Sequence, residues 1–204
     1  MSERIVIDEL DMTKSIYALL ILLLVAGCSS RYSRAPSQME NACAILDQRP
    51  QFVRAFRASE RKWGVPIHVQ MATIHQESKF IRNAKTPRRY FLGIIPRGRV
   101  SSAYGYAQAL DGTWDDYRKK TGRRWAQRSD IGDAADFIGW YMTKSKKRNG
   151  IALSDARNQY LAYHEGHTGY SRGTHLRKSW LISVADKVSR RSDKYRAQLR
   201  TCPV

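Results

Sequence analysis

From Glu40 onward the apolar positions of the 204-residue chain recur mostly at helical spacing. Phe52, Phe56 and Trp63 mark an amphipathic helix that should end at Gly64, and Pro66 is placed to open the next, which runs to Glu77 or Ser78. Ile131, Ala135, Ile138 and Met142 share one helical face, with Lys144, Lys146, Lys147 and Arg148 near the negative helix end and Gly150 beyond. Ser154 can cap a further helix with Ala156, Tyr160 and Tyr163 on one face. A last stripe is Trp180, Leu181, Val184, Ala185 and Val188. Trp140 and Trp180 lie in apolar stripes and are expected to pack in the core. Strand-like alternation is confined to Tyr90 to Ile95 and Tyr104 to Ala109. The stretch from Asn83 to Arg99, with Pro87 and Pro96, reads as a long loop, and such loops in compact domains are often functional. The pattern predicts one mostly α domain of about six to eight helices with a long basic loop.

The residues from Ile16 to Gly27 break this pattern, being apolar and uncharged throughout. A bilayer span needs about 20 residues, whereas a secretory signal needs an apolar run of roughly 7 to 15. With Lys14 before it, and Leu24-Val25-Ala26-Gly27-Cys28 at its end, the segment resembles a bacterial lipoprotein signal. That resemblance implies cleavage before Cys28 and acylation of its thiol. Glu3, Asp8, Glu9 and Asp11 make an acidic start that suits a signal poorly, so translation is expected to begin at Met12. The expected organisation is a signal peptide over 1–27, lipidated Cys28 with a flexible tether over 28–40, and a folded domain over 41–204. Ser29 after the cysteine implies the periplasmic face of the outer membrane. Cys43 and Cys202 then remain as an even pair in an oxidising compartment and are expected to bond to each other.

Three segments carry candidate chemistry: His75-Gln76-Glu77-Ser78, Ala103-Tyr104-Gly105-Tyr106-Ala107-Gln108, and Ala162-Tyr163-His164-Glu165-Gly166. In this order they resemble the Glu-Ser, Gly-Leu-Met-Gln and Ala-Tyr-Asn-x-Gly signatures of the lytic transglycosylase family, which shares the lysozyme-like fold with goose-type lysozymes. The resemblance covers roughly residues 50 to 190. It implies a lysozyme-like domain that cleaves peptidoglycan between MurNAc and GlcNAc, with Glu77 as acid and then base, closing a 1,6-anhydro ring without water. Ser78, Tyr104, Tyr106, Gln108, Tyr163, His164 and Glu165 would then contact substrate. Tyr106 and Ala107 replace Leu-Met, and His164 stands where Asn is usual.

The chemistry asks for the same residue types. A poor leaving oxygen needs a proton, so one carboxyl must stay protonated near neutral pH, and burial can arrange this by raising its pKa. Most glycosidases add a second carboxylate, and substrate-assisted ones do not. If Glu165 were that second group, the protein would be a hydrolytic muramidase. A third possibility is an inactive peptidoglycan-binding lipoprotein. Asp111, Asp115 and Asp116 around Trp114 read as helix capping and first-turn charge. His164 and His167 flank Glu165 and Gly166, which is not the zinc spacing of two histidines one helical turn apart. They read as cleft or loop groups, and no metal or cofactor is expected.

Charge adds one more candidate. The chain holds 36 Lys and Arg against 18 Asp and Glu, for +18, and loss of the leader would remove more acid than base. Arg82, Lys85, Arg88, Arg89, Arg97 and Arg99 crowd the long loop, with Tyr90 and Phe91 interleaved. This composition would suit nucleic acid. Export argues against that partner, and Arg88 and Arg89 are expected to take stem-peptide carboxylates of peptidoglycan through paired hydrogen bonds. The protein is expected to act as a monomer.

Overall fold

The core forms around one helix with almost no polar face. The computed structural model describes residues 34–92 and 94–202. The leader, Met12, Cys28 and the first part of the expected tether lie outside these residues. Within the described residues the order is α1 (Ala42–Gln48), α2 (Pro50–Trp63), α3 (Ile67–Ser78), β1 (Arg88–Phe91), β2 (Ile95–Arg99), α4 (Asp111–Thr121), α5 (Ile131–Asn149), α6 (Ala156–Ser171), a 3-10 turn (Thr174–Arg177) and α7 (Ser179–Gln198). The protein is thus mostly α, as the spacing of apolar residues predicts.

Helix α3 reads IHVQMATIHQES, and Val69, Met71, Ala72 and Ile74 are fully buried. A helix that is apolar on all sides has to be enclosed by others. Its buried Gln70 donates its amide to the carbonyls of Phe56 and Val65, at 3.3 and 2.7 Å, which ties α3 to α2. Helices α2 and α5 approach closely because Gly139 has no side chain: a Cβ there would sit 2.4 Å from Trp63 and 2.7 Å from the Ser59 hydroxyl. Ser59 donates to the Ala135 carbonyl at 2.8 Å. Beside this contact, buried Asp136 accepts from Lys62 (2.8 Å), Trp63 (3.0 Å) and Tyr117 (2.7 Å). Burial alone would raise the Asp136 pKa, but these donors hold it below the usual carboxylate range.

The helix ends follow the sequence signals, with one shift. Gly64 and Gly150 close α2 and α5 in the left-handed conformation. The cap of α6 is Asp155, not Ser154, its carboxylate accepting from the Asn158 N–H. The expected loop is an antiparallel hairpin, β1 paired with β2, with Arg88 opposite Arg99. Tyr104 makes isolated bridges to Lys85 and Ala109 and forms no longer strand. Among the described residues no helix is long and apolar enough to cross a membrane.

The two ends of the domain are joined. Cys43 and Cys202 form a disulfide, with Cα atoms 5.7 Å apart. Residues 35–40, expected as free tether, pack on the domain instead. Glu40 pairs with Arg191 at 2.9 Å and Lys194 at 3.4 Å, the Gln198 amide bonds the Glu40 carbonyl, and Tyr195 donates to the Met39 carbonyl.

Candidate active site

Glu77 stands on the last turn of α3, where the chain bends sharply. Lys79 and Phe80 both take positive φ, 54° and 61°. Non-glycine residues adopt that backbone where surrounding packing enforces it. The enforcing contact is the fully buried Phe80 ring, 5.9 Å from Phe52 and 5.8 Å from His75. Glu77 is thereby held at the edge of the core. It keeps some exposed surface, yet burial pushes its carboxyl up to about 7, against smaller opposing effects of a Tyr160 hydrogen bond and the Lys79 charge.

Two tyrosines of α6 face this carboxyl. Tyr160 hydrogen-bonds it, and Tyr163 is near enough to feel its charge; burial first and Glu77 next drive both phenols above their ordinary range. Tyr163 also donates to the Ala107 carbonyl at 2.5 Å, with its ring edge-on to Tyr141 at 5.0 Å. The turn containing Ala107 needs its glycine. Gly105 has φ of 78°, and a Cβ there would lie 2.0 Å from the Arg128 carbonyl oxygen, which accepts from the Tyr106 N–H. Gln108 closes the turn at φ 47° and donates its amide to the Ala84 and Gly105 carbonyls, at 3.0 and 2.8 Å.

Glu165 sits in a different environment. Its side chain is 4% exposed and receives Lys178 at 2.8 and 3.0 Å, the Thr174 hydroxyl, and a hydrogen bond with His164 Nδ1 at 3.1 Å. Burial would raise its pKa, but these partners outweigh it and lower the carboxyl to about 2. Directly after it, Gly166 takes φ 74° and ψ 157°, a glycine conformation that kinks α6.

The expected site residues are only partly gathered. Gln108, Tyr163, His164 and Glu165 line one cavity with Thr113, Phe137 and Tyr141. Tyr104 lines a separate groove with Trp114 and Arg128. Ser78 is buried, its hydroxyl turned back to the Ile74 carbonyl at 3.2 Å. Tyr106 is 3% exposed and packs edge-on against Phe52, so its ring serves the core and not a sugar face. Arg88 is exposed on β1, and Arg89 follows it on that strand. His167, expected in the cleft or a loop, is buried, stacked 4.3 Å from Tyr141 and bonded to Ser145. Trp180, expected in the core, is 56% exposed beside His164. Among the described residues no cluster of three or more His, Cys, Asp or Glu could hold a metal.

Tyr160, Lys178 and Thr174 are site residues that the three motifs do not contain. Tyr160 had a signal: it precedes Tyr163 by three residues on a helix, which puts both on one face. Lys178 and Thr174 had none, because the 3-10 turn that returns them to Glu165 leaves no periodic trace.

The family described as Transglycosylase SLT domain matches residues 16–202. The chain belongs to this family. No curated protein matches the sequence. A Transglycosylase SLT domain implies glycosidase-type degradation of peptidoglycan, and so a place of action in the cell envelope.

Proposed function

We propose that the protein is a lytic transglycosylase that breaks the MurNAc to GlcNAc bond and leaves 1,6-anhydro MurNAc ends. Glu77, with a pKa of about 7, is present in both protonation states near neutrality. As acid it gives its proton to the departing GlcNAc O4 while the C1–O4 bond breaks. The substrate's acetamido group assists at C1, as in other substrate-assisted glycosidases. The resulting Glu77 carboxylate then takes the C6 hydroxyl proton, O6 bonds to C1 as the bond between C1 and the acetamido oxygen breaks, and the enzyme regains its starting state. Tyr160 holds the carboxylate by hydrogen bond during the second step.

The observation that carries this reading is the contrast between the two carboxyls. Glu77 is poised near neutral pH, whereas Glu165 is an ion-paired carboxylate of pKa about 2 whose oxygens already receive Lys178, Thr174 and His164. A base so occupied is poorly suited to activating water. We read Gln108, Tyr163 and His164 as substrate-side residues of the cavity that Glu165 also lines. We further propose that residues 1–27 are a lipoprotein signal, that acylated Cys28 anchors the domain at the outer membrane, and that the protein acts as a monomer.

Mass spectrometry of products from purified sacculi tests this. Anhydro ends, one water lighter than reducing ends and absent with Glu77→Gln, are expected. Reducing ends would move the reading to hydrolysis, and sacculus binding without release would leave an inactive binder.

A further inference from the structure

Between Glu77 and Asp111 the chain carries seven Lys or Arg and no acidic residue. The β1–β2 hairpin lies inside this segment, with Arg88 and Arg89 on one strand and Arg97 and Arg99 on the other. At its turn, Leu92 and Ile94 are 77% and 79% exposed, and Val100 just beyond β2 is 51% exposed. Leu92 also holds φ of 50°, an uncommon backbone for a branched apolar residue. Arg99 gives one N–H to the Thr86 carbonyl at 2.6 Å, a neutral partner.

We propose that the hairpin dips its Leu92 and Ile94 tip into the surface of an anionic lipid bilayer, with the strand arginines at headgroup level. Apolar side chains leave water on insertion, and cations beside them meet phosphate: this is the pattern of interfacial membrane contact. A protein partner is less suited to the tip, since a stable interface covers about 800 Å² on each side with a complementary pocket. A bilayer needs no pocket. With no acidic residue over the whole segment, the hairpin carries a positive field, so anionic lipid is favoured over neutral lipid. The contact is independent of the glycan chemistry at Glu77.

The test is partitioning of the full chain onto vesicles of phosphatidylglycerol with phosphatidylethanolamine, and onto phosphatidylcholine alone. The apolar leader contributes equally to wild type and variants, so the ratio between them isolates the hairpin. Leu92→Ser/Ile94→Ser should lower partitioning onto the anionic vesicles by about tenfold, while far-ultraviolet circular dichroism and melting stay as in wild type. On neutral vesicles the wild type should bind more weakly than on anionic ones. An unchanged ratio on anionic vesicles overturns the proposal. So does loss of sacculus binding with vesicle partitioning intact, which would place the tip on peptidoglycan. If the double variant fails to fold, Leu92→Trp decides: brominated lipid should quench emission beyond that of wild type, and no added quenching overturns the contact.

Discussion

Replacing Glu77 by Gln should abolish product release and at the same time make the protein more stable at alkaline pH. In the folded chain the carboxyl keeps its proton up to about pH 7, against an ordinary value of 4.5. Between these two values the folded state binds more protons than the unfolded one, so stability falls as pH rises across the window and the loss is complete above it. A displacement of this size corresponds to about 3 kcal/mol at pH 8. Residual exposure of Glu77 to water makes that an upper figure. Gln carries no charge at any pH and keeps the shape of the protonated form. Melting followed by circular dichroism from pH 4 to pH 9 should therefore show Glu77→Gln above wild type at pH 8, by up to about 6 to 12 °C for a chain of this size. The gap should shrink toward zero near pH 4.5, because all other titrating groups are common to both proteins. A gap independent of pH, or a variant less stable than wild type at pH 8, would refute the reasoning: burial would not then be what raises the carboxyl.

Tyr160→Phe removes a hydrogen bond that favours the charged form of Glu77, so the alkaline limb of the pH profile of turnover should move upward; a profile superimposable on wild type would show that Tyr160 does not act on Glu77. Glu165→Gln should still yield anhydro ends, with turnover within about tenfold of wild type, while losing the Lys178 ion pair. A loss beyond about a thousandfold in a folded variant would make Glu165 a catalytic group. Gly139→Ala puts a methyl 2.4 Å from Trp63 and should destabilise the fold by about 1 to 3 kcal/mol; an unchanged denaturant midpoint would mean that the α2 and α5 contact yields easily.

Much of the fold was legible because helices leave a period in the sequence. The buried residues Leu181, Ala185 and Val188 of α7 follow it, each one turn from the next. Trp180 departs from its expected core position for a physical reason: it neighbours Leu181 in sequence but stands about 100° away around the helix, and that turns it out beside His164. The alternation from Tyr90 to Ile95 carries part of the strand signal, but Pro87 and Pro96 make the stretch from Asn83 to Arg99 read as a loop, and the pairing of Arg88 with Arg99 leaves no periodic trace. Glu77 is legible from its motif, but its elevated pKa is not, since that depends on burial, with Phe80 locking the turn and α6 packing across it. Tyr106 shows the converse. Its place inside a motif suggested the cleft, while the Gly105 turn sends its ring to Phe52.

The separation of the two carboxyls traces to one helix. Helix α6 carries Tyr160 and Tyr163 on the face toward Glu77, ahead of Glu165 and the Gly166 kink. The face before the kink supplies bulk, which raises Glu77, and one phenol, whose hydrogen bond opposes that rise only in part. At the kink the chain turns, and the following 3-10 turn and the start of α7 return Thr174 and Lys178 to Glu165. Desolvation opposed only by one phenol and the Lys79 charge yields an acid near neutrality; desolvation outweighed by a directly bonded cation yields a fixed anion. A Glu77 carboxyl with Lys178 beside it would be ionised at pH 7 and unable to protonate a glycosidic oxygen. The spacing from Tyr160 through Gly166 to Lys178 therefore decides which of the two carboxyls can act as the acid.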